Sequence, residues 1–226
     1  MHTATGQVVE LRLQNGQREA RISCPAKLIP APGQYLVASH ASDSPLPVSV
    51  YSTESAPDGF IGAPIPALWS PGMDLYLRGP LGRGFTLPPL ARKVALLALD
   101  DSPSRLLGLV SPALKQGAAV VLVTDSDADS LADDVEVHPT SALGEAAGWA
   151  DYLAFDLARD SLPGWRERLG SMKQAWAGKD AQILVHTPVP CGGVAECGVC
   201  AVTLKSGWAL ACKDGPVFAL GEVLGG

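Results

Sequence analysis

Residues 93–100 read KVALLALD, and they separate two regions of different pattern in this 226-residue chain. Every position between Lys93 and Asp100 is apolar, as in a strand that is buried on both faces of a parallel sheet. Such a strand needs helices on both sides to cover it. The stretch therefore predicts that an α/β lobe begins near residue 91.

Upstream of this run, short β segments are separated by Pro, Gly, Asp and Ser. They are GQVVELRLQNG (6–16), EARISCPA (19–26), QYLVASH (34–40), LPVSVYS (46–52) and MDLYLRGP (73–80). The Asn15-Gly16 pair in the first segment is a hairpin signal. Five or so strands at this spacing predict a small antiparallel β-barrel.

Downstream, strand patterns alternate with helix patterns. The first helix is predicted over 102–117, with Ser102 as N-cap, Pro103 at the first helical position and Gly117 at the end. Pro112 predicts a kink or two shorter pieces. The remaining segments are AAVVLVTD, VEVHP, SALGEAAGW, DYLAFDLA, GWRERLGSMKQAW and AQILVHT. This alternation predicts a doubly wound parallel sheet.

The predicted organisation is therefore a β-barrel domain over 1–90, an α/β nucleotide-type lobe over 91–187 and a cysteine-rich segment over 188–226. The ending GEVLGG is predicted to be a mobile tail or a partner contact. The chain is 47% hydrophobic and 18% charged, so it can bury a core. Its net charge of −6 argues against nucleic acid or an anionic membrane as a partner.

The expected location is the cytoplasm. The start MHTATGQVVE lacks the pattern of a signal peptide, and apolar runs such as 94–99 are too short to span a bilayer. In that compartment disulfides are rare, and clustered thiols more often bind metal.

Four cysteines follow the α/β region with the spacing C-x5-C-x2-C-x11-C. They are Cys191, Cys197, Cys200 and Cys212. Three cysteines in one glycine-rich loop with a distant fourth is the layout of a plant-type 2Fe–2S loop. A structural zinc site is the main alternative, although zinc knuckles are usually paired C-x2-C motifs and only one is present. The glycines at 192, 193 and 198 allow the loop to wrap closely and to direct backbone N–H groups at sulfur.

Two further residues near this chemistry need an interpretation. Cys24 stands apart and is interpreted as a buried apolar residue. His186 precedes the loop by five residues. It could tune a cluster or replace a thiolate, but packing of the loop is the more common role of a single histidine.

The cysteine loop with CKDGPVF (212–218), together with RGPLGRGF (78–85), resembles the iron–sulfur flavoprotein electron-transfer subunit of dihydroorotate dehydrogenase B, in the ferredoxin-reductase superfamily. The resemblance implies FAD on the barrel, nicotinamide on the α/β lobe and a cluster that relays electrons to a separate catalytic subunit. It implies the four cysteines of the loop region as cluster ligands. The family loop has four residues between its first two cysteines, whereas this one has five.

The resemblance also implies a flavin site. Its residues would be Pro47, Val48, Ser49, Gly79, Pro80, Leu81, Gly82, Gly84 and Phe85. In the family, an Arg-Pro-x-Ser strand places the Arg at the FAD pyrophosphate and the Ser near the isoalloxazine. Here Leu46 stands at the Arg position, or Ser49 if SVYS is aligned to the related Arg-x-Tyr-Ser pattern, and only Arg78 or Arg83 could supply the charge. A glycine turn that closes a barrel strand is an equal interpretation of GPLGRG.

The nicotinamide site departs most from the family pattern. In the family, the first strand of the lobe runs into a glycine-rich turn that binds the pyrophosphate, but here Asp100 and Asp101 follow the strand. They are predicted to cap the next helix, and their negative charge would repel a phosphate at that position. Residues 158–160 read Ala-Arg-Asp where the family has Cys-Gly-Pro. We therefore predict that NAD(H) is not bound.

Three functions stay open from the sequence. The first is an accessory electron-transfer subunit with a 2Fe–2S cluster and FAD that serves a dihydroorotate dehydrogenase-like flavoprotein in a hetero-oligomer. The second is a cluster-only electron-wire or assembly subunit, and the third is a zinc-stabilised interaction module. No residue is recognised as a general base for dihydroorotate oxidation, which fits a subunit that needs a catalytic partner.

Overall fold

The computed structural model describes residues 1–14, 17–40, 46–100, 102–128, 131 and 133–225. The predicted hairpin turn at Asn15-Gly16 and the predicted cap Asp101 lie outside these residues. Over the described residues the chain forms a closed β-barrel, a six-stranded mixed sheet flanked by helices and a small two-stranded sheet. The predicted fold class is confirmed.

The barrel has six strands in the order β1-β2-β5-β4-β3-β6. Their bounds are β1 His2–Gln14, β2 Gln17–Ser23, β3 Tyr35–Ser39, β4 Val48–Ala56, β5 Gly59–Ala63 and β6 Asp74–Leu81. Neighbouring strands are antiparallel, and their inward side chains form one apolar core around Ile22, Leu36 and Phe60. The sequence did not indicate β5, because all five of its residues are buried and no polar alternation marks it.

The α/β lobe is built on the sheet β14-β11-β10-β7-β8-β9. Its strands are β7 Lys93–Ala98, β8 Ala119–Val123, β9 Val135–His138, β10 Tyr152–Ala158, β11 Asp180–His186 and β14 Val217–Ala219. All neighbours are parallel except the β11–β14 pair. Alternate residues of β7 enter two separate apolar cores, with Leu96 in one and Leu97 in the other. Strand β7, the first strand of the lobe, is therefore buried on both faces, as predicted.

Five short helices cover the lobe. They are α1 Ser104–Leu107, α2 Val110–Lys115, α3 Leu143–Trp149, α4 Leu162–Ser171 and α5 Lys173–Trp176. The predicted helix over 102–117 is indeed two pieces, and the Ser102 hydroxyl accepts a hydrogen bond from the Ser104 N–H at 3.2 Å. The break lies at Gly108 rather than at Pro112, which is the third residue of α2, where proline is tolerated.

The C-terminal segment is tied to the lobe. It contains β12 Ala201–Leu204, which pairs with β13 Gly207–Leu210, and it ends in α6 Leu220–Leu224. The prediction of a mobile tail in GEVLGG was wrong for residues 221–224, because they belong to α6 and Val223 is fully buried in the lobe core. The alternative of a partner contact stays a prediction. The domain boundaries at 90 and 187 stay a prediction. Within the described residues, no helix has the length and apolar character needed to cross a bilayer.

Candidate functional site: a paired-cysteine loop between barrel and lobe

The loop that carries the first three cysteines has an unusual backbone. Gly192, Gly193 and Gly198 have φ of 63°, 80° and 70°, and Ala195 has φ of 65°. These left-handed conformations suit glycine and are uncommon for other residues. They curl the chain so that the N–H groups of residues 193, 194 and 195 point at the sulfur of Cys191. The predicted wrapping of amides around sulfur is therefore observed.

The four predicted ligands lie as two close pairs. The Cys191 side chain adjoins that of Cys197, and the Cys212 side chain adjoins that of Cys200; Cys191 and Cys212 are also close enough to interact electrostatically. Among the described residues, no three metal-binding side chains converge on one point. A single zinc ion would need four sulfurs at about 2.3 Å from one centre, whereas a two-iron cluster takes its thiolates in twos. Four thiolates suit either a 2Fe–2S cluster or one tetrahedral zinc ion.

The two pairs differ in environment. Desolvation raises the pKa of Cys191, but hydrogen bonds from Cys197 and from the backbone at 193–195 outweigh it and lower the pKa to about 6. Desolvation and the neighbouring Cys200 thiol raise the pKa of Cys212 to about 12. Cys197 is exposed, whereas Cys200 and Cys212 are 1% and 3% exposed. One pair thus faces solvent, and the other anchors the site in the protein.

The barrel supplies the base on which this loop rests. A Cβ placed on Gly193 would lie 3.0 Å from the Tyr35 hydroxyl and 3.1 Å from a Leu81 methyl carbon. A Cβ placed on Gly192 would lie 3.2 Å from an Arg78 guanidinium nitrogen. The Tyr35 hydroxyl also donates a hydrogen bond to the Cys212 carbonyl at 3.2 Å. Tyr35 was not recognised from the sequence, and Arg78 was considered only for a flavin phosphate, because only the closure of the barrel brings both residues to the loop.

We expect Gly193→Ala to lower the cluster content of purified protein more than Gly198→Ala does. Both glycines have positive φ, so each alanine costs about 1 kcal/mol in backbone strain. Only the Gly193 methyl group meets neighbours, since nothing lies within 4 Å of a Cβ at Gly198. Iron per chain after anaerobic purification measures the difference. Equal losses of iron in the two variants would contradict the close contact of Gly193 with Tyr35.

The lobe braces the same loop from its other side. The Arg159 guanidinium, just after β10, donates a hydrogen bond to the Val199 carbonyl beside Cys200. Arg159 stands in the 158–160 stretch, where the family has Cys-Gly-Pro. The carboxyl end of the parallel sheet thus makes a protein contact at the place where the resemblance implied a nicotinamide site.

Asp100 does not act as the predicted helix cap. Its carboxylate accepts a hydrogen bond from the Ala158 N–H, and it lies 3.5 Å from the His186 ring. Burial, together with Arg105, lowers the pKa of His186. His186 therefore packs at the end of β11 against Asp100, consistent with the packing role considered from the sequence. Cys24 is 7% exposed, as predicted for an apolar residue, and burial raises the pKa of its thiol to about 11.

The predicted flavin residues lie on or beside β4, on β6 and in the turn after β6, and their role in binding a flavin stays a prediction. Pro47 contacts the cluster loop near Gly192, Val48 packs against the barrel core, and Ser49 pairs with Val37 of β3. Gly79, Pro80 and Leu81 end β6, which pairs with β1 and β3.

The other predicted flavin residues form contacts within the protein. A Cβ on Gly84 would lie 2.5 Å from the Pro32 carbonyl oxygen. The Phe85 N–H donates to the same oxygen at 2.8 Å, and Gly82 packs against Gly215 and Pro216 of the C-terminal segment. Glycine here permits close approach of one chain segment to another.

The architecture is that of the ferredoxin reductases. Solved structures with the same fold include a chain of an NADH-dependent reduced ferredoxin–NADP oxidoreductase from a study of flavin-based electron bifurcation, at TM-score 0.72 and 16% identity over 98% of this chain and 90% of that one. The Amycolatopsis cytochrome P450 reductase GcoB matches at TM-score 0.61 and 15% identity, over 83% and 70%. The ferredoxin reductase of carbazole 1,9a-dioxygenase, in its FAD apo form, matches at 0.58 and 18%, over 76% and 64%. The TM-scores of these three matches establish the fold, and their low sequence identities carry no further conclusion.

A family model matches the cysteine segment. Residues 191–224 match the model of the iron–sulfur cluster binding domain of dihydroorotate dehydrogenase B. The matched range contains all four paired cysteines. The resemblance predicted from the sequence is thus confirmed for residues 191–224, and over the whole chain the comparisons show the fold.

Proposed function

We propose that this chain is an electron-transfer subunit that holds a 2Fe–2S cluster and passes single electrons to or from a flavoprotein dehydrogenase similar to dihydroorotate dehydrogenase. The observation that carries the proposal is the arrangement of Cys191, Cys197, Cys200 and Cys212 in two close pairs inside the matched segment. When bound, the cluster supplies a centre that gains and loses one electron at a time.

The protein's own residues have three tasks in this proposal. The pairs Cys191–Cys197 and Cys200–Cys212 would each hold one iron. The backbone N–H groups at 193–195 face sulfur, and such hydrogen bonds stabilise the negative charge of a cluster. Tyr35 and Arg159 hold the loop between barrel and lobe, so that the distance to a partner's redox centre is constant.

The position of the loop supports a partner on its outer side. Cys197 is exposed, and Val194 and Val199 beside it are 47% and 41% exposed. An apolar rim at a redox centre suits close docking of another protein. The partner would be the catalytic dehydrogenase subunit, in a hetero-oligomer. A cytoplasmic location is part of the proposal and is supported by five free cysteines, since disulfides are rare in that compartment.

FAD and NAD(H) are not part of this proposal. The similar structures support a flavin only at the level of the fold, and the residues of this chain do not fit one. No arginine stands at the family's pyrophosphate position, and Gly82 and Gly84 of the predicted flavin turn pack against protein. At the nucleotide edge, Asp100 and Arg159 are engaged with Ala158 and Val199.

Anaerobic purification tests the proposal directly. Iron, zinc and acid-labile sulfide are quantified on one sample, and its visible and electron paramagnetic resonance (EPR) spectra are recorded before and after reduction. About two irons and two sulfides per chain, with a signal that appears on reduction, are expected. Zinc without iron would overturn electron transfer and leave the zinc-stabilised interaction module.

We also expect Arg78→Gln to make the reduction potential of the cluster more negative. The guanidinium lies over the loop backbone at Gly192, and removal of a positive charge disfavours an added electron. A shift of roughly 60 mV, about 1.4 kcal/mol, is reasonable for one partly buried charge. An EPR-monitored redox titration measures it. Arg83→Gln is the control, because Arg83 is exposed, and equal shifts in both variants would contradict a specific role of Arg78.

A further inference from the structure

We infer that the seam between barrel and lobe has no room for a flavin in the part of the chain that the structure describes. The seam is defined here as β3, β4 and β6 of the barrel against α1, β10, β11 and β14 of the lobe. In consequence, the cluster would be the sole redox centre of this subunit. The inference rests on the proposed function and deepens it, because it specifies how electrons must arrive.

Direct apolar contact closes the centre of the seam. One buried cluster combines barrel and lobe residues: Tyr35, Val37, Tyr51 and Leu81 from the barrel, and Leu184 and Val217 from the lobe. All are less than 10% exposed. A flat three-ring cofactor between the two surfaces would have to separate these side chains. Since protein interiors are close-packed, that space does not exist without opening the two parts.

The serine that could approach a flavin is covered by the lobe. If SVYS aligns with the family's Arg-x-Tyr-Ser pattern, Ser52 takes the place beside the isoalloxazine. A Cβ placed on Gly108 would lie 2.6 Å from the Ser52 carbonyl oxygen, so the end of α1 sits directly on β4. The Ser52 hydroxyl itself lies 3.1 Å from that of Ser55, within the same strand.

A buried ion pair fills the neighbouring part of the seam. The Arg105 side chain of α1 donates to both carboxylate oxygens of Asp156 in β10, at 3.0 and 2.9 Å, and both residues are nearly fully buried. The Tyr51 side chain lies close to this pair, and burial raises the pKa of its hydroxyl. Removal of either partner would leave an uncompensated buried charge, so each side chain is held in place by the other. The end of β10 is thus occupied by the protein's own charges.

The glycine turn after β6 also packs barrel against lobe, because it contacts the C-terminal segment. The Arg83 N–H donates to the Gly215 carbonyl at 2.5 Å, and a Cβ on Gly82 would lie 2.6 Å from that oxygen. The two most family-like stretches, GPLGRGF and CKDGPVF, therefore bind each other. Their glycines allow two backbones to approach, which is the turn interpretation of GPLGRG.

A cleft remains at the outer edge of the seam, but its charge is unsuitable for a dinucleotide. It has a volume of about 490 Å³ and is lined by Thr53, Glu54 and Ser55 of β4 together with residues of α1 and α2. Glu19, 4% exposed, lies on the same wall. Two carboxylates would repel a pyrophosphate, and a single Lys115 faces them.

Without a flavin, this subunit would transfer electrons only one at a time. Cys191, Cys197, Cys200 and Cys212 would hold the cluster, and the cluster would supply a centre that takes one electron from a reduced flavin of a partner protein and gives it to a one-electron acceptor, with no bond made or broken. Two-electron donors such as a nicotinamide would need a flavin elsewhere to divide their electron pair. The partner is therefore a flavoprotein that can release or accept electrons singly.

A reductive titration of the anaerobically purified full chain tests the inference. We expect uptake of about one electron per chain, no flavin in a heat-released extract and no quenching of FAD fluorescence when FAD is titrated against the protein. Uptake of three electrons, or saturable FAD binding, would overturn the inference while the cluster function stands. A sample without iron would overturn the proposed function, and the FAD titration would still decide on the seam.

A pair of glycine variants reports on the seam independently. We expect Gly108→Ala to lower the melting temperature of the chain by about 2–8 °C, because its methyl group meets the Ser52 carbonyl. Gly170→Ala in α4 is the control: nothing lies within 4 Å of its Cβ, and alanine favours a helix. If Gly108→Ala behaves like the control, barrel and lobe separate in solution and the inference fails.

Discussion

Replacement of Cys212 by serine is expected to abolish cluster binding. Iron per chain should fall from about two to near zero, because a cluster that loses one of its four thiolates is not retained, and a serine hydroxyl is a poor ligand for iron. Cys212 is 3% exposed and lies beside Cys200, so no other cysteine can take its place without moving the loop. The melting temperature should fall as well, since bound metal stabilises the folded state.

Two controls separate ligand loss from general damage. Cys24→Ser changes a buried thiol in the barrel core and should leave the iron content unchanged. His186→Ala removes the only histidine close to the loop in sequence, and it should also leave iron in place, because His186 packs against Asp100. Full iron in Cys212→Ser, or its loss in His186→Ala, would contradict the assignment of four cysteine ligands.

The second large effect is expected from Asp156→Ala. This change leaves the Arg105 guanidinium buried without its carboxylate, and the loss of one partner of a buried pair typically costs about 3–5 kcal/mol. Urea unfolding followed by circular dichroism measures the change in the free energy of unfolding. The matched exposed pair is Arg12 with Glu10, for which Glu10→Ala should cost far less, because water and salt screen an exposed pair.

The double variant Arg105→Met with Asp156→Leu distinguishes packing from charge. Apolar residues of similar volume often replace a buried ion pair without loss of stability, so this variant should recover most of what Asp156→Ala loses. If the double variant is as unstable as the single one, the pair contributes through hydrogen-bond geometry rather than through the burial of an unpaired charge. A loss below about 1 kcal/mol in Asp156→Ala would show that the seam around Arg105 admits water.

The sequence predicted those strands and helices whose hydrophobic pattern directly reflects which of their faces are buried. Residues 93–98 read as a two-sided buried strand and form one. The cysteine spacing, with its glycines, identified the loop from local pattern alone. By contrast, β5 and α6 were missed: β5 has no polar alternation, and Gly221, Gly225 and Gly226 made a buried helix look like a tail.

Asp100 shows the limit of local rules. Next to a predicted helix it reads as a cap, but the fold places it against Ala158 and His186, which are 58 and 86 residues away. Local capping chemistry indicated one plausible role, and a long-range partner provides another. Such a choice depends on free energies of contacts that only the folded chain contains.

By itself, the sequence determined a barrel, a parallel α/β lobe and a thiol-rich loop, because hydrophobic periodicity and cysteine spacing are local properties of the chain. The tertiary structure alone decided that the thiols lie as two pairs, that Tyr35 and Arg159 hold their loop, and that Gly108, Tyr51 and the Arg105–Asp156 pair close the seam. These facts depend on contacts between residues far apart in the chain, and such contacts form only when barrel, lobe and C-terminal segment pack together.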